Sequence, residues 1–152
     1  MPRVENLVAA VLDTHVWVWT CAGDARAQAM APFKGTPMVS AISIWEVSML
    51  ESKGRLTLDP DLESWITTNL SPPFVLEPLS PAVSVQSCRL PDFHGDPADR
   101  LIVATAIECG VPLVTADRQI IDWNDRHRIA AGVRSVTHIP AHSFRPLQGR
   151  RP

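Results

Sequence analysis

Four acidic residues stand where an apolar strand ends or a helix begins: Asp13, Glu46, Asp99 and Asp117. Asp13 follows the apolar run 8–12, and Asp117 follows the apolar run 111–116. Because ligands bind at the carboxyl ends of the strands in an open parallel sheet, these carboxylates are expected to converge in one crevice. Converging carboxylates repel one another unless a divalent cation lies among them. The pattern therefore predicts a Mg²⁺ or Mn²⁺ site and, through it, phosphodiester hydrolysis.

Each acid also has an ordinary structural explanation. Asp13 and Asp117 are suited to cap a following helix, because a short acidic side chain satisfies the free N–H groups of a first turn. Glu46 lies at the edge of an apolar helical stripe, where an exposed helix acid is common. Asp96 and Asp99 are suited to the cap and the first turn of a helix. Only their combination favours a metal site.

Other residue types do not form a competing site. The five histidines have no metal-ligand spacing, and His94 is interpreted as a polar loop residue. The chain has no Gly-rich phosphate loop and no nucleophile motif. An aspartyl-phosphate phosphotransferase would need a second acid where His15 stands and a lysine near a later strand end. The only lysines are Lys34 and Lys53, so this rival is disfavoured.

The composition is that of one soluble globular domain. The chain has 152 residues, of which 45% are apolar and 20% charged. No apolar run approaches the roughly 20 residues that span a bilayer, and the N-terminal apolar stretch is short for a signal peptide. Cys21, Cys88 and Cys109 fit no disulfide framework and no zinc spacing. We therefore expect buried free thiols and a cytoplasmic protein without a membrane partner.

The net charge of −2 is unevenly distributed along the chain. Residues 1–116 hold 7 basic and 13 acidic residues, whereas residues 117–152 hold 7 basic and 3 acidic ones. A basic region beside an acidic metal site would attract a polyanion and hold its phosphates. The candidate substrate contacts are Arg118, Arg126, Arg128 and Arg134. Residues 1–140 are expected to form the domain, and residues 141–152 are expected to form a basic, flexible tail. The alternative is that the basic residues of this tail are only solvated surface and bind no polyanion.

Hydrophobic periodicity and turn residues predict strands that alternate with helices. Strands are predicted at about 8–13, 36–41, 74–79, 111–116 and 133–137. Helices are predicted at about 14–19, 24–31, 43–53, 60–70, 80–90, 97–109 and 119–123. The best-marked helix start has Asp96 as its cap and Pro97 at its first position, and Gly110 ends that helix. The alternation predicts an α/β three-layer sandwich with a largely parallel central sheet.

Four segments resemble the signature motifs of PIN-domain toxins of the VapC type. They are VLDTHVW at 11–17, SAISIWE at 40–46, HGDPADRLIVATA at 94–106 and LVTAD at 113–117. They occur in the family's order, and the resemblance covers roughly residues 8–125. It implies a PIN-like fold, a ribonuclease that requires Mg²⁺ or Mn²⁺, an RNA substrate, a small cognate antitoxin and a homodimer.

The resemblance also assigns roles to residues. The catalytic and metal-binding quartet falls on Asp13, Glu46, Asp99 and Asp117. Asp13 and Asp99 are expected to be direct ligands, and Glu46 and Asp117 to act directly or through water. The accessory positions fall on Asp96, Thr14, Thr115 and Arg100. The stretch between Asp13 and Glu46 is short for the family, which predicts a curtailed second helix. The N-terminus before the first strand is extended. Both departures concern the docking of an antitoxin more than the catalytic residues. A catalytically silent module that binds RNA or protein is the alternative.

Overall fold

The structure, a computed structural model, describes residues 3–131 and 136–138. The strands are β1 (Ala9–Leu12), β2 (Thr36–Ser40), β3 (Val75–Glu77), β4 (Leu113–Thr115) and β5 (Val136–His138). The α-helices are α1 (Thr14–Ala22), α2 (Ala41–Ser52), α3 (Leu62–Asn69), α4 (Pro81–Ser87), α5 (Pro97–Cys109) and α6 (Arg118–Ala131). Short 3₁₀ helices cover Val4–Asn6 and Ala25–Met30. Strands and helices alternate over most of the chain, as predicted.

The five strands found in the described part of the chain form one sheet in the order β3-β2-β1-β4-β5. Every neighbouring pair is parallel. The chain builds outward from β1 through β2 to β3, and β4 then returns to the other side of β1. The order therefore reverses between β1 and β4, which is the position where open α/β sheets bind ligands.

Both faces of the central strands β1 and β4 are buried against helices. Val11 and Leu113 pack on one face with Ile102 of α5 and Ile120 of α6. The opposite face carries alternate strand residues, which pack with α1 and α3 through Leu12, Val114, Val16, Trp17 and Trp65. Strands buried on both faces are apolar almost throughout, which explains the uninterrupted hydrophobic runs in the sequence. The predicted three-layer α/β sandwich is confirmed.

Several predicted boundaries were wrong. The helix predicted at 119–123 is α6, which continues to Ala131. Its polar residues hid the helical pattern, because only one side, with Ile120 and Trp123, is buried. The segment at 24–31 is a 3₁₀ helix, in keeping with the expected curtailment, and β3 has only three residues. The last strand is described at Val136–His138, and residues 133–135 of the predicted strand lie outside the described residues.

The cysteines are free, but the expectation of buried thiols was wrong. Cys88 is exposed, and Cys21 and Cys109 are partly exposed. Across the residues that can be described, no helix is long and apolar enough to cross a membrane. The expected tail at 141–152, the domain boundary at 140 and Arg134 lie outside the described residues.

Candidate metal centre

Asp13 lies at the point where the strand order reverses. It directly follows β1, is 5% exposed and caps α1. Its Oδ1 accepts a hydrogen bond from the Thr14 backbone N at 2.8 Å, and its Oδ2 accepts one from Thr115 Oγ1 at 2.6 Å. Thr115 Oγ1 in turn accepts a hydrogen bond from the Asp117 backbone N at 3.0 Å. These contacts link the ends of β1 and β4.

Glu46 reaches the same region from α2. Its Oε1 accepts a hydrogen bond from Thr14 Oγ1 at 2.6 Å. Because Thr14 has a single hydroxyl proton, Ser43 donates to Thr14 Oγ1 across 2.7 Å. Ser43 is fully buried and was not identified from the sequence. Its position three residues before Glu46, within an apolar run, was the available signal.

Asp99 lies in the first turn of α5 and contacts a histidine. His94 Nε2 lies 2.7 Å from Asp99 Oδ2, and the two side chains are 23% and 14% exposed. The His94 ring stacks on Phe93, with ring centroids 4.2 Å apart. His94 lies in the loop before α5, as interpreted, but it is partly buried and contacts Asp99.

The remaining two acids are helix caps. Asp96 Oδ1 accepts hydrogen bonds from the backbone N atoms of Ala98 and Asp99 at 2.9 and 3.2 Å, as the capping pattern predicted. Asp117 Oδ1 accepts one from the Gln119 backbone N at 2.8 Å, near the start of α6. Capping and convergence are thus compatible, since the caps fix the direction in which each carboxylate points.

Burial and neighbouring charges raise the pKa values of three carboxylates in this region. Burial first, and then the charges of Asp13, Asp96 and Asp117, raise the pKa of Asp99 to about 8. Burial and the charges of Asp13, Asp99 and Asp96 raise the pKa of Glu46 to about 7, against the hydrogen bond from Thr14. Burial also raises the pKa of Asp13, although the Thr115 hydroxyl opposes the shift. The crevice therefore repels additional negative charge.

The donor chemistry of this crevice fits a hard divalent cation. Carboxylate oxygens are the ligands that Mg²⁺ prefers, and a cation would relieve the repulsion that raises these pKa values. Within residues 3–131 and 136–138, no three Asp, Glu, His or Cys side chains already have the arrangement of a metal site. Thr115 and His94 hold Asp13 and Asp99 in their present orientations. The side chains must therefore turn to close around a cation.

The predicted basic residues have different environments. Arg100, expected beside the site, donates to the backbone carbonyls of Phe93, His94 and Ser87 at 2.7, 2.9 and 3.2 Å. It thereby fixes the segment before α5 and positions His94. Arg118 forms an exposed pair with Asp122 at 3.5 Å.

Arg126 borders a cleft next to the acids. The cleft has a volume of about 200 Å³ and is lined by Asp92, His94, Gln119, Asp122, Trp123 and Arg126. We call it the Arg126 cleft. His94 lines this cleft and also contacts Asp99, so the cleft adjoins the acidic crevice. Arg128 lies in α6, and its side chain is outside the described part of the structure.

The sheet defines a parallel α/β protein, and Asp13 lies at its topological switch point. Residues 10–125 match the model of the PIN domain, and the protein therefore belongs to the PIN-domain family. It is 36% identical to ribonuclease VapC22 of Mycobacterium tuberculosis (strain ATCC 25618 / H37Rv) over 119 residues, which cover 75% of this chain and 91% of that protein. The resemblance of the four sequence segments to VapC-type PIN domains is confirmed.

Solved structures share the fold at lower sequence identity. VapBC2 from Rickettsia felis, bound to a DNA fragment from its promoter, matches with a TM-score of 0.60 and 16% identity over 86% of this chain and 98% of that one. A toxin–antitoxin complex from Klebsiella pneumoniae matches with a TM-score of 0.56 and 24% identity over 71% of this chain and 86% of that one. At this identity the likeness supports the PIN-like fold alone.

Proposed function

We propose that this protein is a metal-dependent endoribonuclease and the toxin of a type II toxin–antitoxin pair. The observation that carries the proposal is the proximity of three carboxylates at the switch point of the sheet. The charges of Asp13 and Asp99 add to burial in raising the pKa of Glu46, and the charge of Asp13 adds to burial in raising that of Asp99. The similarity to a ribonuclease of the VapC type supports the reaction. The similarity to proteins solved in toxin–antitoxin complexes supports an antitoxin partner.

Asp13 and Asp99 would bind the cation directly, and Glu46 and Asp117 would complete the site directly or through water. Bound Mg²⁺ or Mn²⁺ supplies an acidified water and neutralises charge on the phosphodiester. Thr115 keeps Asp13 oriented toward β4. Thr14 holds Glu46 Oε1, which leaves Oε2 to accept a hydrogen bond from the attacking water.

The RNA would follow the surface from the Arg126 cleft to the acids. The exposed guanidinium of Arg126 can hold a backbone phosphate in a cleft whose wall, His94, contacts Asp99. Arg118 is a weaker candidate, because Asp122 already neutralises part of its charge. Arg128 and Arg134 stay candidates from the charge pattern of the sequence. The family also implies a homodimer, and the free cysteines suit a reducing cytoplasm.

Cleavage of purified total RNA, tRNA included, tests the reaction. With Mn²⁺ or Mg²⁺ we expect defined fragments, and with excess EDTA we expect cleavage to cease, because the carboxylates cannot activate water without a cation. Renewed Mn²⁺ should restore the activity. Asp99→Asn protein, purified in parallel, controls for contaminating nucleases. Cleavage that persists in EDTA would contradict metal dependence, and RNA binding without cleavage would favour the silent binding module.

Substitution of Arg126 tests the RNA path. In Arg126→Ala, the slope of log Kd against log salt should fall by roughly one, because one phosphate contact no longer releases a counterion. The measurement is fluorescence anisotropy of a labelled single-stranded RNA between about 50 and 200 mM KCl. Arg55→Ala removes another exposed charge, beyond the end of α2, and serves as the control. If both variants keep the wild-type slope, the cleft does not bind phosphate.

A further inference from the structure

Trp45 differs from the other four tryptophans of the chain. Trp17, Trp19, Trp65 and Trp123 are at most 9% exposed, whereas Trp45 is 56% exposed in the middle of α2. An indole has the largest apolar surface of any side chain, so leaving it in water forgoes the stabilisation that burial gives. It directly precedes Glu46. The one exposed tryptophan thus lies beside the candidate metal centre.

The indole forms part of a groove of about 490 Å³. Trp45 and its helix neighbours Ile42 and Met49 provide one wall, since residues three and four apart share a helix face. Pro97 and Ala98, at the start of α5, line the groove as well. We call it the Trp45 groove. Its volume lies within the range that small aromatic ligands fill.

The polar lining of the Trp45 groove consists of Glu46 and Asp96. Since both are acids and no basic residue among those that the structure describes lines the groove, a phosphate would be repelled from it. A neutral planar group meets no such repulsion. Carboxylates only accept hydrogen bonds, so the lining favours a planar group that carries amino donors. Glu46 belongs to both the groove and the acidic crevice, which makes the two continuous.

We propose that the Trp45 groove binds the nucleobase next to the scissile phosphate, with the base stacked on the Trp45 indole. The exocyclic amino group of the base would face the Asp96 carboxylate, so that adenine, guanine or cytosine is preferred over uracil. The proposal rests on the proposed RNA cleavage and names a subsite for it. Any phosphodiester at the acids has an adjacent nucleotide within reach of this groove, and stacking on an aromatic side chain accepts every base.

The test compares Trp45→Ala with Trp45→Phe on short RNAs of one sequence. Each RNA carries adenine, guanine, cytosine, uracil or no base at the positions flanking the mapped cleavage site. Kd is measured in the Asp99→Asn background and kcat/KM in the active protein. We expect Trp45→Ala to weaken binding roughly tenfold and raise KM more than it lowers kcat, while Trp45→Phe keeps most of the affinity. Leu76→Ala, another exposed apolar substitution, should leave both unchanged.

The abasic RNA separates stacking from a structural effect. Wild-type protein should bind it roughly tenfold more weakly than the intact RNA, and Trp45→Ala should bind the two equally, because the stacking partner is already absent. An equal loss for the abasic RNA in both proteins would overturn the proposal. Normal RNA binding by Trp45→Ala would also overturn the proposal. If this variant in addition loses antitoxin binding or changes its sedimentation, the groove is assigned to a protein partner. If wild-type protein binds no RNA, the proposed function fails as well.

Discussion

Asp99→Asn should reduce RNA cleavage by on the order of 100-fold or more while leaving the fold intact. The amide matches the carboxylate in shape and can still accept a hydrogen bond from His94. It supplies no negative charge to a divalent cation, so the cation would bind weakly. It also removes a charge that raises the pKa of Glu46. The metal-free variant should therefore be at least as stable as wild type above pH 7.

Fragment yield from a defined RNA, with Mn²⁺ present, measures the rate. Thermal unfolding with EDTA and with Mn²⁺ measures the fold and the binding of the cation separately. Wild-type protein should gain melting temperature with Mn²⁺, and the variant should gain less. Glu63→Gln removes an exposed acid on α3 and should behave as wild type. Cleavage at the wild-type rate by Asp99→Asn would show that the catalytic site lies elsewhere.

The metal-free protein should lose stability as the pH rises from about 5 to 9. The folded state raises the pKa of Asp99 from 3.8 to about 8 and that of Glu46 from 4.5 to about 7. Between these values the folded protein holds protons that the unfolded chain has released. The stabilisation that comes from protonation of Asp99 and Glu46 is therefore complete below about pH 4, and it is lost as the pH rises through 7 and 8. The loss is on the order of several kcal/mol, since each pKa unit corresponds to about 1.4 kcal/mol.

Urea unfolding in EDTA at several pH values measures this dependence. The difference between wild type and Asp99→Asn isolates the site, because all other titrating groups are shared by the two proteins. Wild type should lose more stability than the variant, and Mn²⁺ should restore the lost stability at high pH. A wild-type curve that rises over this range, or one parallel to that of the variant, would contradict the convergence of the acids.

Local signals determined much of the fold. The helix that starts with Pro97 was predicted because Asp96 supplies a capping carboxylate, and Gly110 ends it with a positive φ of 65°. The parallel sheet followed from alternating apolar runs and helices, since strands buried on both faces need such runs. The extent of α6 was missed, because its polar residues resemble a loop until the buried side is known.

Asp13 and Asp117 were predictable because each follows a short apolar strand, and Asp99 because it lies in the first turn of a well-marked helix. The resemblance also placed Thr14, Thr115 and Arg100 near the site, but the contacts that they make were not predicted, and neither were Ser43 and the role of His94. His94, Ser43 and Arg100 act through contacts with residues on other elements or with loop carbonyls. A hydrogen bond depends on distance and direction, and neither is written in the spacing of residues along the chain. The outward position of Trp45 was not predicted, since an apolar stripe on a helix is typical of a buried face.

The sequence by itself determined the residue types, the order of the elements and the strand ends at which Asp13 and Asp117 stand. Caps, turns and apolar periodicity are local, so the chain specifies them within a few residues. The tertiary structure alone decided that β1 and β4 are neighbours and that α2 and α5 bring Glu46 and Asp99 beside them. Burial and repulsion exist only after that packing. They turn separate helix caps into a crevice whose carboxylates suit a divalent cation.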